Sequence, residues 1–316
     1  MVATPTRQER NPLPRALTLI GAPSNIGIRP YDDGTPRRLS EAPQALREAG
    51  LGVALGAADA GDVTPEPYRD FVRPLVGARN QPEVRRYSEA LAARVKTTIA
   101  GGGFPIVVGG DCSVVLGCLL GARQAGIDPI GLAYLDAHAD FGTPEESLTG
   151  SAASMCLALA VGRGDPVLAN LADSALIADR HVALVGRRDG GEPWYGHDAL
   201  AASAILDLAG EAMRRRPLSV VLSQVLEQVA GPEVEAFWVH LDADLLSPAI
   251  MPAVDSPLDG GPLLDEAVAL LGPLVRHPKA LGFELTIYDP SLDPGRDAAQ
   301  MLVTLLTRAF HEPGAR

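Results

Sequence analysis

Leu132-Ala133-Tyr134-Leu135-Asp136-Ala137-His138-Ala139-Asp140 is the stretch from which the fold can be read. It opens as a short apolar run and ends abruptly in acid and imidazole. A run of that kind, without polar alternation, is what a strand covered on both faces requires. Asp136, His138 and Asp140 stand two apart, so an extended backbone turns all three the same way. About a hundred residues later the pattern returns in Phe237-Trp238-Val239-His240-Leu241-Asp242-Ala243-Asp244. Again an apolar run ends in carboxylates two apart. Four aspartates gathered at one point repel one another strongly unless cations are present. The charge pattern therefore asks for metal, and for two ions.

Outward from these motifs, short apolar runs alternate with helical patterns along the whole chain. Strands are expected at 17–21, 106–108, 132–135, 182–185, 237–240 and 281–287. Helices are expected at 43–48, 83–99, 114–124, 152–161, 218–229, 264–275 and 298–310. Such alternation predicts a three-layer α/β/α fold with a mostly parallel central sheet. In sheets of this type ligands bind outside the carboxyl ends of the strands, which is where the Asp/His motifs fall. Residues 1–15, polar and rich in Pro and Arg, read as a flexible tail. Residues 16–316 read as a single domain, with loop-like segments at 62–82 and 187–200.

Composition narrows the function. The chain has 316 residues, 47% of them hydrophobic, so it can build a substantial core. Its formal net charge of -12 disfavours nucleic acid, whose binding needs a basic surface. No apolar stretch is long enough to cross a bilayer, so no membrane partner is expected. The cysteines are three, Cys112, Cys118 and Cys156. So sparse and odd a set is no disulfide framework, and a cytoplasmic location is the default. Cys118 and Cys156 read as helix core.

A third segment, Val107-Val108-Gly109-Gly110-Asp111-Cys112-Ser113, reads as a strand, a tight glycine turn and a helix start. With it the chain resembles the ureohydrolase superfamily, the arginases, agmatinases and relatives. That family shows Gly-Gly-Asp-His-Ser, then Asp-Ala-His-x-Asp, then Asp-x-Asp shortly before a Pro; here the last motif precedes Pro248. Gly21-Ala22-Pro23-Ser24, 41–47, 252–261 and 282–290 extend the likeness over roughly residues 16 to 310. The resemblance implies a binuclear hydrolase that releases urea from a guanidino group by attack of a metal-bridging hydroxide. It implies Asp136, His138, Asp140, Asp242 and Asp244 as ligands of two divalent ions, Mn²⁺ first. Cys112 falls where most of the family has the sixth ligand, a His. As a thiolate it would favour Ni²⁺, Fe²⁺ or Zn²⁺ over Mn²⁺; as a thiol it would be a small buried residue beside a one-metal site. The resemblance further implies a homotrimer or homohexamer.

The substrate side departs from arginase. Gly142 stands where arginase has an Asn, Ala153 where it has a proton-shuttling His, and Ile287 where it has a Glu that pairs with the guanidinium. A buried guanidinium needs a carboxylate. Asp255, on the loop Pro252-Ala253-Val254-Asp255-Ser256-Pro257, is the first candidate. Glu284 is the second, although its strand parity differs from that of Ile287. Thr149 and Glu192 complete the expected substrate contacts. Asp140 is expected to serve the reaction as well as the metal. A general acid must protonate the leaving amine, and His240 and His197 are the candidates. His181, His277 and His311 read as solvated. The expected substrate is arginine or an arginine-like compound, peptide-borne arginine included. Two other readings stand beside this one, a non-catalytic metal-binding relative and a single-zinc amide hydrolase of the deacetylase type.

Overall fold

The computed structural model describes residues 15–69, 76–191 and 196–312. The expected tail lies outside them except for Arg15, as does Glu192. Eight strands form one sheet: β1 Leu17–Gly21, β2 Ala58–Asp62, β3 Phe104–Val108, β4 Ile130–Leu135, β5 Val182–Val185, β6 Leu206–Leu208, β7 Ala236–Asp242 and β8 Ala280–Thr286. Their order is β2-β1-β3-β8-β7-β4-β5-β6, and every pairing is parallel. Helices cover both faces, giving three layers. The helices Gln81–Ala100 and Val114–Gln124 pack together in one layer, and Leu218–Ala230, Leu264–Val275 and Asp297–His311 pack in succession in another.

The four central strands β3, β8, β7 and β4 are buried along their full length. That double coverage is why they lack polar alternation and why the sequence reveals them. The edge strands β2 and β6 escaped the sequence reading for the opposite reason. Ala58–Asp62 is largely exposed, and Leu206–Leu208 is three residues long with an exposed Asp207 at its centre. Neither carries an apolar run. Three short helices, Leu51–Leu55, His197–Ala201 and Gly210–Arg214, were also missed. The expected helix at 152–161 is split into a 3-10 turn at Ala152–Met155 and one α-helical stretch at Cys156–Ala160. His181 is a correction of another kind: expected in solvent, it is buried.

The strand order positions the site. The chain builds β1 and β3 outward in one direction, then crosses to β4 on the far side of β7 and β8. The carboxyl ends of β3, β8, β7 and β4 therefore meet where the winding reverses. After β3 the turn depends on Gly110, whose φ is 89°. A Cβ there would lie 2.6 Å from the carbonyl oxygen of Ala22. Only glycine permits both the conformation and the approach.

Candidate metal centre

Asp136 leaves the end of β4 and Asp242 closes β7. Leu135 and Leu241 pair immediately before them, which sets the two carboxylates side by side. Each then organises the turn that follows: Asp136 Oδ1 accepts from the His138 amide at 2.6 Å, and Asp242 Oδ1 from the Asp244 amide at 2.8 Å. The two turns are stitched together, for Ala137 N–H donates to Asp244 Oδ1 at 3.1 Å and His138 Nδ1 is 2.8 Å from Asp244 Oδ2. Asp140 adopts a left-handed backbone with φ of 46°, which swings its carboxylate back over the cluster. There it accepts from the Tyr134 hydroxyl at 2.7 Å and from the Cys156 thiol at 3.3 Å. Cys156 is thus buried in the helix core, as expected, and also touches the site. Farther out, Asp189 accepts from the Ala139 amide at 2.8 Å and pairs with Arg187 at 3.1 Å, which pins the turn from behind.

All five of these ligand candidates are buried, and they surround a cavity of about 60 Å³. Cys112 joins them: its Sγ is 3.0 Å from Asp242 Oδ2, which also accepts from Thr286 Oγ1 at 3.1 Å. The electrostatics state what is needed. Ligand atoms of Asp136 and Asp242 lie within 4.8 Å. Two ionised carboxylates at that separation repel by about 3 kcal/mol at an effective dielectric of about 20. Without cations, burial and the neighbouring carboxylates push Asp140 and Asp242 well above the usual carboxylate range. Burial also raises Asp244, against the opposing pull of His138. Asp136 behaves in the opposite way: burial works against its charge, but His138 and His240 hold it below the usual range. Burial disfavours the His138 imidazolium, yet Asp244 and Asp136 raise it well above the ordinary value. Burial, then the carboxylates, pushes the Cys112 thiol upward. Apart from Asp136, these ligand candidates therefore cling to protons, and divalent ions invert this logic.

The donor set fits metal on a further ground. Asp136 Oδ2 and His240 Nε2 are buried and have no hydrogen-bond partner. Two groups, Asp136 with His138 and Asp244, and Asp136 with His240 and Asp242, bring their ligand atoms within 4.8 Å of one another. The arginase family model matches residues 15–311.

The chain belongs to the arginase family.

Arginase from Bacillus subtilis is 29% identical over 296 residues, covering 90% of this chain and 97% of that protein. Arginase from Bacillus caldovelox is 28% identical over 309 residues, and its crystal structure superposes with a TM-score of 0.84 over 95% of this chain and 99% of that one. Proclavaminate amidino hydrolase from Streptomyces clavuligerus, 19% identical with a TM-score of 0.69, covers 93% of this chain and 90% of that one and shows the fold alone. As an arginase-family member the chain is a ureohydrolase, an enzyme that hydrolyses a guanidino C–N bond, and the family is one of binuclear metal-dependent enzymes. That selects this reading over the single-zinc amide hydrolase.

Within the family frame, the remaining expected residues divide by height. Ala153, Asp255 and Ile287 line the cavity mouth together with Ile28, Ser154 and Ser256. Asp255 faces the cavity, but its Oδ2 is 3.1 Å from Arg37 Nε, and both side chains are nearly buried. Thr149 lines the adjoining recess beyond the mouth. His197 starts a short helix and does not line the cavity. His240 and Glu284 lie on the other side of the metal ligands. The sequence reading made His240 a candidate proton donor near the site; the structure puts it away from the cavity, behind Asp136 and Asp242, fully buried and stacked on the Tyr134 ring at 4.0 Å. Burial lowers its proton affinity, but Asp136 and Glu284 raise its pKa to about 9. With no face on the cavity, it cannot pass a proton straight to a leaving amine. Glu284 is likewise behind them, 2.7 Å from His240 Nδ1 and bonded to the Trp238 indole, out of reach of a substrate in the cavity. The sequence reading missed Arg37, Tyr134 and Thr286. Tyr134 could have been found, because it precedes Asp136 by two and shares its strand parity.

Proposed function

We propose that this ureohydrolase releases urea from arginine or an arginine-like guanidino compound, peptide-borne arginine included. One observation carries the reading: Asp136, His138, Asp140, Asp242 and Asp244 converge on a small buried cavity in a chain of the arginase family. In this reading those five residues, with Cys112, hold two divalent ions, Mn²⁺ first, with Ni²⁺, Fe²⁺ or Zn²⁺ favoured to the extent that Cys112 binds as thiolate. The ions supply a water acidic enough to ionise near neutral pH. The chain supplies the rest. Asp140, steered by Tyr134, presents a carboxylate oxygen to the nucleophile's proton. The enclosure by Ile28, Ala153 and Ile287 keeps other water out and strengthens each charge interaction. Asp255 is the carboxylate nearest an incoming guanidinium and must share its charge with Arg37. Thr149 meets the distal part of the substrate, Glu192 is a further substrate contact, and His197 is the candidate general acid for the leaving amine. Residues 16–316 act as one domain, in the cytoplasm, in a homotrimer or homohexamer.

The test is a panel of free, modified and peptide-borne arginines and shorter guanidines, offered to protein reconstituted with each of the four metals, with urea as the readout. Urea release from at least one compound, abolished by chelation and restored by metal, is expected. Silence across the panel with metal demonstrably bound would leave the non-catalytic reading in its place.

A further inference from the structure

His240 occupies a place with no use in the scheme above, and its surroundings are unusually complete. Tyr134, His240 and Glu284 are cross-strand partners on β4, β7 and β8, at one level of the sheet. Tyr134 stacks on the imidazole with an interplanar angle of 9° and so fixes the ring plane. Glu284 fixes its rotation and its tautomer. The Trp238 indole N–H can only donate, so Glu284 Oε2 is an acceptor. Its Oε1, 2.7 Å from His240 Nδ1, then accepts the Nδ1 proton. That leaves Nε2 as the nitrogen a cation can take in place of a proton, and it points at Asp136 Oδ2 from 3.6 Å. The separation is too long for a hydrogen bond, whose N···O distance is about 2.7–3.2 Å. It matches two ligands of one ion: atoms each about 2.1 Å from a tetrahedral centre stand about 3.4 Å apart. Both atoms are buried, and neither has another partner.

From this geometry we propose that His240 Nε2 is a metal ligand, binding from beneath the ion shared by Asp136 and Asp242 and supplying the imidazole that Cys112 lacks. A carboxylate holding the far nitrogen of a ligating His is the usual way such a ligand is oriented; here Glu284 does it. The centre is then one with two imidazoles, His138 and His240, and His240 takes the ligand place given to Cys112 above, leaving Cys112 as a thiol hydrogen-bonded to Asp242. This rests on the reading of the aspartates as a divalent-ion centre, and the experiment separates the two.

The full chain, stripped of metal and titrated with Mn²⁺, is examined by metal content and by pulsed electron paramagnetic resonance, which counts imidazole nitrogens on the ions. Two such nitrogens are expected in the wild type and one in His240→Gln, whose affinity for one Mn²⁺ equivalent falls about 100-fold or more. Glu284→Gln should retain both nitrogens and weaken that ion by about 10-fold. Adding Cys112→His to His240→Gln should return the second nitrogen. A folded His240→Gln with unchanged nitrogen count and affinity overturns the proposal and leaves the metal centre standing. A wild type that takes up no divalent ion overturns both. If His240→Gln does not fold, the anomalous map of Mn²⁺-loaded wild type decides: Nε2 within about 2.5 Å of an ion supports ligation, and beyond about 3 Å refutes it.

Discussion

The floor of the cavity and its mouth are built on opposite terms. The floor comes from the ends of adjacent parallel strands, where register alone dictates which side chains meet. Asp136 and Asp242 are neighbours because Leu135 and Leu241 are paired one residue earlier. The mouth comes from loops distant in sequence: Ile28, Ala153, Asp255 and Ile287 share no strand and no spacing. The floor keeps the Asp/His motifs by which the chain resembles the arginase family, with Cys112 as its departure. The mouth replaces an expected shuttle His with Ala153 and an expected carboxylate with Ile287. The floor's geometry is set by rigid strand register, whereas the mouth is set by connecting segments, which tolerate change more readily.

Ile287 shows how the two regions join. Its φ is 60°, a left-handed backbone that a β-branched residue adopts at a cost of roughly 1–3 kcal/mol. Its amide donates to the Gly110 carbonyl at 3.3 Å, and two residues on Asp289 donates to Ala253 at 2.9 Å. The turn is thus tied to the loops after β3 and β7.

The comparison can be broken most forcefully at the floor. Asp242→Ala should remove bound metal and lower urea release by on the order of 1,000-fold or more. Metal analysis beside the urea assay checks this, and a variant retaining both would show that the floor is not the catalytic centre. Next in size is pH. His138 and three of the aspartates hold protons above their ordinary values in the metal-free floor. Ions must displace those protons, so raising the pH removes a competitor and strengthens binding. Mn²⁺ affinity should rise about tenfold per pH unit for each proton displaced, measured by calorimetry between about pH 6 and 8. A flat profile would mean that the floor is already deprotonated.

The smallest effect sharpens the mouth. Ile287→Glu restores a carboxylate to the cavity rim and should tighten a bound guanidinium by about tenfold, the scale of one charge-assisted hydrogen bond. Without ligand the same charge lies buried and unpaired, so the melting temperature should fall and recover when arginine is added. A variant indifferent to arginine in both measurements would place guanidinium recognition elsewhere, with Asp255 the residue to change next.

By itself the sequence determined the central strands, the parallel three-layer architecture and the five buried Asp and His candidates, since all of these follow from local periodicity. Strand parity likewise separated Glu284 from Ile287. Only the tertiary structure decided which side of the ions His240 occupies, that Arg37 already engages Asp255, and that Ala58–Asp62 and Leu206–Leu208 pair as edge strands. The physical reason is the range of the interactions. Alternation along a strand is written in neighbouring residues, whereas a ring stacked on Tyr134 and held by Glu284 depends on three strands brought together from separate parts of the chain.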